Sequence, residues 1–426
     1  MQKSLLFFFI QFFSTIVLAQ KDCRQDDYQQ QLLTLHPLLH FQYDKIEAFG
    51  KKHPFSFITA GSVDTAGIST PFTIPAKIVI PVVVHILWNT SAQNISNAQV
   101  LSQIDVLNKD YSGANTDRNK TPAYFAALAA DCGITFVLAK MDPQGHATTG
   151  IVRKQTSMPV FNFDDKAKSN TANGDDAWNA DNYLNIWVCN LVSGISGYAS
   201  IPGGPKEKDG VVISTQVFGT IHITGAFNKG RTATHEIGHW LNLRHIWGDA
   251  NCGDDKVEDT PTQQAANRGC VNGQKFTCGS TSHGDMYMNY MDFSDDACMY
   301  MFTKGQRERM RVLFDTGGPR NSLLFSNALN GTGLPLQDTL AVNKDAGFDL
   351  LLYPNPAVNM ITLQLEENCN AIGKKIQVYN HLGQVIMVVN CTSELQQVNI
   401  SPLHAGLYFI KVDGVRGEVM KKFVKQ

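Results

Sequence analysis

Residues 235–245, HEIGHWLNLRH, decide the fold of this chain of 426 residues. In a helix, His235 and His239 lie one turn apart on the same face, so both imidazoles can reach one metal ion. Glu236 lies beside them, where it can act as a general base. His245 can complete a three-histidine site if the helix stops and the chain turns back. The spacing therefore predicts a catalytic zinc centre.

The chain reversal before His245 depends on Asn242. A turn of this kind needs a residue that tolerates a positive φ, which glycine does best and asparagine next best. The motif and its Ile-Gly-His-Trp-Leu run resemble the metzincin metallopeptidases, and the pappalysin branch in particular; metzincins have glycine where this chain has Asn242. The resemblance covers most of residues 73–325 and implies a zinc endopeptidase made of an α/β (α+β) domain, with a twisted sheet above the zinc helix.

The patterns along residues 73–325 agree with this fold class. The run KIVIPVVVHILW from Lys77 is β-branched and nearly continuous, as in a buried central strand, and residues 97–109 follow with helical spacing. Residues 132–141 and 183–192 read as further strands. The domain is expected to be a single catalytic unit.

Residues 290–292, Tyr-Met-Asp, resemble the Met-turn that metzincins place beneath the zinc ion. The resemblance implies that Met291 is an apolar floor for the site and not a ligand. Several metzincins have a tyrosine two residues later that supports the oxyanion, whereas this chain has Phe293. Oxyanion support would then come from zinc and other donors.

Composition narrows the class of protein. The chain has 43% hydrophobic and 17% charged residues, which is typical of globular domains, and its length predicts two or three of them. A net charge of −2, with no basic cluster longer than a pair, argues against a nucleic-acid partner. The leading hypothesis is a protease of proteins and peptides; the alternative is a surface adhesin that keeps a decayed metallopeptidase fold. The intact Glu236 argues against decay.

The amino end has the parts of a secretory signal, with cleavage expected after Ala19, and its apolar run is too short for a membrane span. Residues 20–72 are interpreted as a pro-segment, with an activation cut near residues 50–75. Related precursors carry a Cys-Gly pair near the start, where this chain has Cys23 and Arg24. A Cys23 thiolate could hold the zinc ion and keep the enzyme latent. Asp26 or Asp27 could block the ion instead, or Cys23 could have a structural role.

Nine cysteines in an exported chain suggest disulfides. Similarity to pappalysins implies the pairs Cys252–Cys278 and Cys270–Cys298. Their neighbourhood in the sequence suggests two further pairs, Cys132–Cys189 and Cys369–Cys391, which leave Cys23 alone.

Five carboxylates lie within the loop GDANCGDDKVEDTP, residues 248–261. Such a density of charge suggests a calcium ion, and pappalysins hold structural calcium nearby. Asp254, Asp259 and backbone carbonyls are the expected ligands. A solvated acidic loop without an ion is the alternative.

Asp295 and Asp296 follow the Met-turn. The pappalysins that this chain resembles carry an acidic residue here, at the floor of the pocket for the residue after the cut, and favour arginine there. The resemblance thus implies cleavage on the amino side of Arg, with Lys second, and Asp296 as the likelier determinant. Both carboxylates could also face solvent or calcium.

Residues 326–346 are interpreted as a linker, and residues 347–426 as a small β-sandwich, because seven short alternating segments follow one another there. YPNPAVNMITLQL and LHAGLYFIKV resemble the carboxy-terminal sorting domain of the type IX secretion system. The resemblance implies export through the outer membrane by that machinery, with the product released or attached to the cell surface. An accessory binding domain on the same scaffold is the alternative.

Overall fold

The computed structural model describes residues 23–52, 74–280, 283–331, 350–365, 371–380, 384–414 and 417–426. The predicted signal segment, residues 1–19, lies outside this range. The chain divides into two compact units, Met1–Asp338 and Thr339–Gln426.

The first unit is a mixed α/β domain. Its described α-helices are α1 (Gln25–Leu35), α2 (Leu39–Lys52), α3 (Asn97–Ser112), α4 (Ala123–Ala126), α5 (Arg231–Trp240) and α6 (Lys304–Arg311). Its strands are β1 (Ile78–Trp88), β2 (Ile134–Leu138), β3 (Ile151–Gln155), β4 (Leu184–Cys189), β5 (Gly197–Ala199) and β6 (Val211–Ser214). Among the described residues, no helix combines the length and the apolar character needed to cross a membrane.

The six strands form one sheet in the order β2-β1-β4-β6-β5, and β3 also pairs with β1. The central strand β1 is long enough to pair with β2 through its first half and with β3 through its second half, both in parallel. Only β5 is antiparallel, and it forms an edge of the sheet beside β6. Nearly every residue of β1 is buried, which explains its continuous apolar sequence. The predicted α/β fold class is confirmed.

Helices α3 and α5 pack against each other and share one large apolar core with the sheet. Helix α3 begins at the Ser96 cap, whose side chain accepts a hydrogen bond from the Gln99 amide, and ends at Gly113 with φ 63°. It buries Val100, Ile104 and Leu107. All ten residues of α5 are buried, so the helix that carries the histidine motif is held on every side.

The described residues of the second unit form seven strands in two sheets. Strands β7 (Leu350–Tyr353), β8 (Met360–Leu365) and β11 (Leu395–Asn399) form one sheet, and β9 (Lys375–Asn380), β10 (Val385–Asn390), β12 (Gly406–Gly414) and β13 (Gly417–Lys425) form the other. All pairings are antiparallel. Buried and exposed residues alternate along β8 and β11, and the buried ones form one apolar core. The predicted β-sandwich is thus the observed architecture.

The disulfides agree with the sequence analysis in part. Cys252 bonds to Cys278 and Cys270 to Cys298, with Cα–Cα separations of 5.7 and 5.6 Å. The predicted bond between Cys132 and Cys189 is wrong: both are free, buried thiols. Cys132 leads into β2 and Cys189 ends β4, and β1 separates these strands. Two strand spacings, about 10 Å, exceed the reach of a disulfide.

Of the predicted pair Cys369–Cys391, Cys369 lies outside the described residues. Cys391 itself is buried in the core of the second unit.

Candidate metal centre and active site

The three histidines of the motif meet at one point. The Nε2 atom of His239 lies 3.1 Å from Nε2 of His235 and 3.2 Å from Nε2 of His245. All three rings are buried. Three neutral imidazole nitrogens that converge in this way offer their lone pairs to a single cation.

The opposite ring nitrogens explain why Nε2 faces inward. Nδ1 of His235 lies 2.7 Å from the carbonyl oxygen of Tyr290, and Nδ1 of His239 lies 2.9 Å from that of Leu243. Nδ1 of His245 contacts the carboxylate of Asp249. Because each of these acceptors requires a proton on Nδ1, each Nε2 is left with its lone pair. The arrangement fixes both the tautomer and the direction of every ring.

Asn242 makes the predicted reversal, with φ 69°. The amides of Leu241 and Leu243 both donate to the carbonyl of Gly238, which closes the end of α5. Arg309 of α6 donates through Nε to the carbonyl of Asn242 at 2.6 Å. The turn is therefore held from outside as well as by its own backbone.

A cysteine completes the group. The Cys23 sulfur lies 3.5 Å from His239 Nε2 and 3.5 Å from Glu236 Oε2, and it shares a cluster with the three histidines in which the potential ligand atoms all lie within 4.8 Å of one another. Tetrahedral zinc requires roughly 3.3 Å between ligand nitrogens and roughly 3.5 Å between nitrogen and sulfur. The residues present thus fit a zinc ion.

Glu236 is buried beside these ligands, against the edge strand β5. A side chain on Gly197 would place its Cβ 2.9 Å from Glu236 Cγ and 3.1 Å from Oε1. Glycine at position 197 therefore leaves room for the carboxylate. Nothing in the sequence pattern indicated this dependence.

The Met-turn segment lies beneath the histidines. Met291 is fully buried, and the Tyr290 carbonyl is the acceptor for His235. The Tyr290 hydroxyl donates at 2.9 Å to Asp110 of α3, which also accepts from Thr234 of α5. Burial raises the pKa of Asp110 to about 6. A network of buried hydrogen bonds thus connects the floor of the site to both helices.

Two aromatic rings pack against His245. The Trp247 indole stacks on His245 with ring centroids 4.3 Å apart and nearly parallel planes. Phe293 contacts the same imidazole edge-on at 4.9 Å. The missing hydroxyl of Phe293 is visible in the sequence, whereas the contact of Trp247, two residues after the last histidine, was not predicted. The closeness of this tryptophan to a ligand histidine in the sequence was the signal that could have identified the contact.

The pro-segment candidates differ in position. Asp26 Oδ1 lies 4.0 Å from His245 Nδ1 and forms a cluster with His245 and Asp249, and burial raises its pKa to about 6. Asp27 instead pairs with Arg24 at 3.0 Å, near the surface. Of the three candidate blocking residues, only Cys23 belongs to the cluster that contains all three histidines.

The predicted calcium ligands, Asp254 and Asp259, have different surroundings. Asp254 is exposed and pairs with Lys256 at 2.6 Å. Both oxygens of Asp259 accept hydrogen bonds at the start of α6, from Thr303 Oγ1 at 2.6 Å and the Gly305 amide at 2.9 Å. Each carboxylate thus has a separate partner, and calcium binding by this pair stays a prediction.

The carboxylate of this loop that turns inward is Asp255. Its oxygens each accept from Thr260 Oγ1 at 2.9 Å, and the same hydroxyl lies 2.8 Å from the Val257 carbonyl. Burial raises the pKa of Asp255 to about 7. The cluster is thus a compact group of oxygen atoms around one buried carboxyl.

Asp296, the expected specificity determinant, lies at the amino end of α5, and its role in arginine recognition stays a prediction. It is fully buried, and its Oδ2 accepts from the backbone amides of Lys229 at 2.8 Å and Arg231 at 3.2 Å, at the amino end of α5. Asp295, its neighbour, is partly exposed. The structure therefore gives Asp296 a part in fixing the zinc helix.

Comparisons with known proteins agree with this geometry. The family model of pregnancy-associated plasma protein-A, a peptidase family, matches residues 167–315. The model of the secretion system C-terminal sorting domain matches residues 351–426. The chain is 49% identical to mature mirolysin from Tannerella forsythia, solved with a cleaved peptide, over 60% of this chain and 99% of that one, with a TM-score of 0.59.

A promirolysin variant from the same organism is 42% identical over 74% of this chain and all of its own, with a TM-score of 0.65. Among curated relatives, an extracellular metalloprotease of Pyricularia oryzae is 29% identical over 61% of this chain and 83% of its own length. One from Verticillium alfalfae is 45% identical, but the match covers only 30% of this chain and 48% of that protein. The chain belongs to the pappalysin family of zinc metallopeptidases and carries a type IX sorting domain.

Proposed function

We propose that this chain is a secreted zinc endopeptidase made as a latent precursor, which hydrolyses proteins on the amino side of arginine. The observation that carries the proposal is the position of the Cys23 sulfur, 3.5 Å from both a ligand histidine and Glu236. His235, His239 and His245 would hold the zinc ion. When bound, zinc polarises the scissile carbonyl and acidifies water at the fourth position.

Glu236 is the group that would move the protons. Its carboxylate lies 3.5 Å from the Cys23 sulfur, so water that replaces this sulfur after removal of the pro-segment would be within its reach. It would accept the proton of the attacking water and return it to the leaving amine.

Latency follows from the same contact. A sulfur at the fourth position excludes the water that the reaction needs, and the segment that carries it also lies along the edge strand: Cys23 forms a parallel bridge with Gly197. Glu47 of α2 also holds the pro-segment on the catalytic domain, because its carboxylate accepts two hydrogen bonds from Arg309. The pro-segment therefore blocks both the ion and the strand that a substrate would follow. The similarity to a solved promirolysin supports this proposal.

Preference for arginine after the cut rests on the carboxylates behind the Met-turn. Asp296 is fixed by backbone amides, and Asp295 is partly exposed beside it. A carboxylate in a closed pocket binds a guanidinium through paired, charge-assisted hydrogen bonds. Arginine is thus the proposed preferred residue, and either Asp295 or Asp296 is the proposed determinant of this preference.

A calcium ion is proposed at Asp255 in place of the pair named from the sequence. The carboxylate, the Thr260 hydroxyl and the Val257 carbonyl are hard oxygen ligands gathered in one loop. A buried carboxyl whose pKa is raised to about 7 is costly to ionise, and a divalent cation would offset that cost.

Residues 347–426 are proposed to direct export through type IX machinery, after which the protein is released or attached to the surface. The match of residues 351–426 to the sorting-domain model supports this role.

The test of the catalytic proposal is casein cleavage by the activated protein, with and without a chelator, compared with Glu236→Ala. We expect the variant to keep bound zinc and to lose activity by several orders of magnitude, on the order of 10³-fold or more. Full cleavage by the variant would remove Glu236 from the reaction. Zinc binding without any cleavage by the parent would favour the decayed adhesin.

A further inference from the structure

The pro-segment fills a second pocket, away from the metal centre, with the side chain of Tyr28. Only 1% of Tyr28 is exposed, although it lies on a helix at the surface of the catalytic unit. Its ring packs against Tyr198 of β5 with centroids 4.8 Å apart. A pocket that encloses one side chain of a removable segment so fully is vacated when the segment leaves.

The pocket is built for a phenol. The Tyr28 hydroxyl donates to Asp165, with oxygens 3.0 and 3.1 Å away, and accepts from Lys168 Nζ at 3.1 Å. The Lys168 side chain is completely buried. It also pairs with Asp165 at 3.0 Å and lies over the rings of Tyr28 and Tyr198. The carboxylate of Asp165 and the ammonium of Lys168 can thus bind a group that both donates and accepts hydrogen bonds.

These polar groups lose a hydrogen-bond partner when Tyr28 leaves. A buried ammonium needs hydrogen-bond partners, and when Tyr28 leaves, Lys168 keeps only Asp165 and the Lys208 carbonyl at 2.9 Å. The Tyr198 hydroxyl is also buried beside these groups. The vacated pocket would therefore favour a new occupant of similar chemistry.

The pocket lies beside the edge strand that the pro-segment follows. Strand β5 runs from Gly197, beside Glu236, to Ala199, and the pro-segment follows it: Cys23 bridges to Gly197, and the Gln25 side chain accepts from the Ala199 amide at 3.1 Å. From Cys23 to Tyr28, two extended residues and three helical ones span about 10 Å. An extended peptide covers that distance in about three residues.

We propose that the pocket of Asp165, Lys168 and Tyr198 is a substrate subsite that takes a tyrosine side chain about three residues from the scissile bond. The proposal rests on the proposed protease function and on removal of the pro-segment. In the precursor Tyr28 imitates such a substrate side chain; in the mature enzyme the same contacts select among peptides. The subsite is separate from the carboxylates proposed to recognise arginine.

The test uses the self-processed, zinc-loaded enzyme and fluorogenic peptides with one fixed arginine after the cut. Tyrosine, phenylalanine or alanine is placed two, three or four residues from the bond on either side. We expect kcat/KM to be about tenfold higher for tyrosine than for alanine at one of these positions, with phenylalanine between them. Equal rates for the three residues at every position would overturn the subsite.

Two variants separate recognition from folding. Lys168→Met fills the same space without the charge and should lower the ratio of tyrosine to phenylalanine towards one. Lys166→Met, on the same turn, removes an exposed lysine that pairs with Asp164 and should leave that ratio as in the parent. A ratio unchanged in Lys168→Met would refute the role of the pocket. Loss of casein cleavage by the parent would instead refute the proposed protease function.

Discussion

Gly238 lies directly over the sulfur of Met291: a Cβ on this glycine would stand 2.5 Å from Sδ and 3.3 Å from Cε. The glycine inside the histidine motif and the methionine fifty-three residues later are thus parts of one contact. Because both residues are fully buried, neither can move aside cheaply. This contact brings the Met-turn against the zinc helix and positions the Tyr290 carbonyl for His235.

Gly238→Ala should destabilise the protein and loosen the metal site. Alanine favours a helix over glycine by about 1 kcal/mol, but overpacking a closed core costs about 1–3 kcal/mol. The net effect on the free energy of unfolding is therefore expected to be destabilising. We expect a melting temperature several degrees lower and weaker zinc binding, measured by calorimetry in a Glu236→Ala background that prevents self-cleavage. Gly50→Ala is the matched control, because its Cβ would meet only Val312 at 3.8 Å. A stabilised Gly238→Ala protein would contradict the packing argument.

Cys23→Ala should shorten latency. Without the sulfur, water can enter beside Glu236 while the rest of the pro-segment is still bound. We expect freshly purified precursor to gain activity faster than the parent, on the order of tenfold, a factor that corresponds to about 1.4 kcal/mol. The measurement is a time course of peptide cleavage. Asp26→Asn and Asp27→Asn are run beside it: unchanged latency in Cys23→Ala with loss of latency in either of these would transfer the blocking role to a carboxylate.

Much of the metal site could be predicted from the sequence because its three histidines lie within eleven consecutive residues. The helical period places His235 next to His239, and the need for a positive φ after the helix follows from His245 alone. The φ of 69° at Asn242 has this origin. The apolar run of β1 likewise predicts a buried strand without knowledge of its neighbours.

What the sequence could not supply depends on the order of strands and the direction of loop side chains. The pair Cys132–Cys189 failed because β1 lies between the two strands, which no local pattern reveals. In the acidic loop, five carboxylates look alike, yet only the fold turns Asp255 inward and leaves Asp254 in solvent. The burial of Tyr28 was equally hidden, because its helix has a mainly polar sequence.

Calcium should stabilise the protein through Asp255, and more at neutral than at acidic pH. The folded-state pKa of this carboxyl is raised to about 7 from 3.8, so without calcium the protonated form is favoured and stability falls as pH rises from about 4 to about 7. Calcium replaces the proton and removes this loss. At constant zinc, we expect millimolar calcium to raise the melting temperature clearly at pH 7.5 and little at pH 5.

Two variants assign that effect to the loop. Asp255→Asn should abolish the response to calcium, whereas Asp254→Asn, an exposed carboxylate paired with Lys256, should keep it. A melting temperature indifferent to calcium in the parent at both pH values would exclude a structural ion at Asp255. A response lost in Asp254→Asn alone would restore the ligand predicted from the sequence.

Removal of residues 347–426 should prevent export but not folding of the catalytic domain. The two compact units have separate apolar cores, so a chain that ends at Ala346 is expected to fold and to bind zinc. In a host with type IX secretion, we expect this truncated form to stay in the periplasm, as measured by fractionation and immunoblotting. Normal amounts outside the cell would make the β-sandwich an accessory module.

Cleavage should occur on the amino side of arginine, with lysine second. A planar guanidinium can form two parallel hydrogen bonds to one carboxylate, a geometry that an ammonium matches less well. Profiling of cut sites in a peptide library by mass spectrometry measures the preference. Asp296→Asn keeps an acceptor for the Lys229 and Arg231 amides, and Asp295→Asn changes the partly exposed neighbour. The variant that loses arginine enrichment identifies the determinant. A library without arginine enrichment in the parent, or with the same enrichment in both variants, would refute recognition by this pair of aspartates.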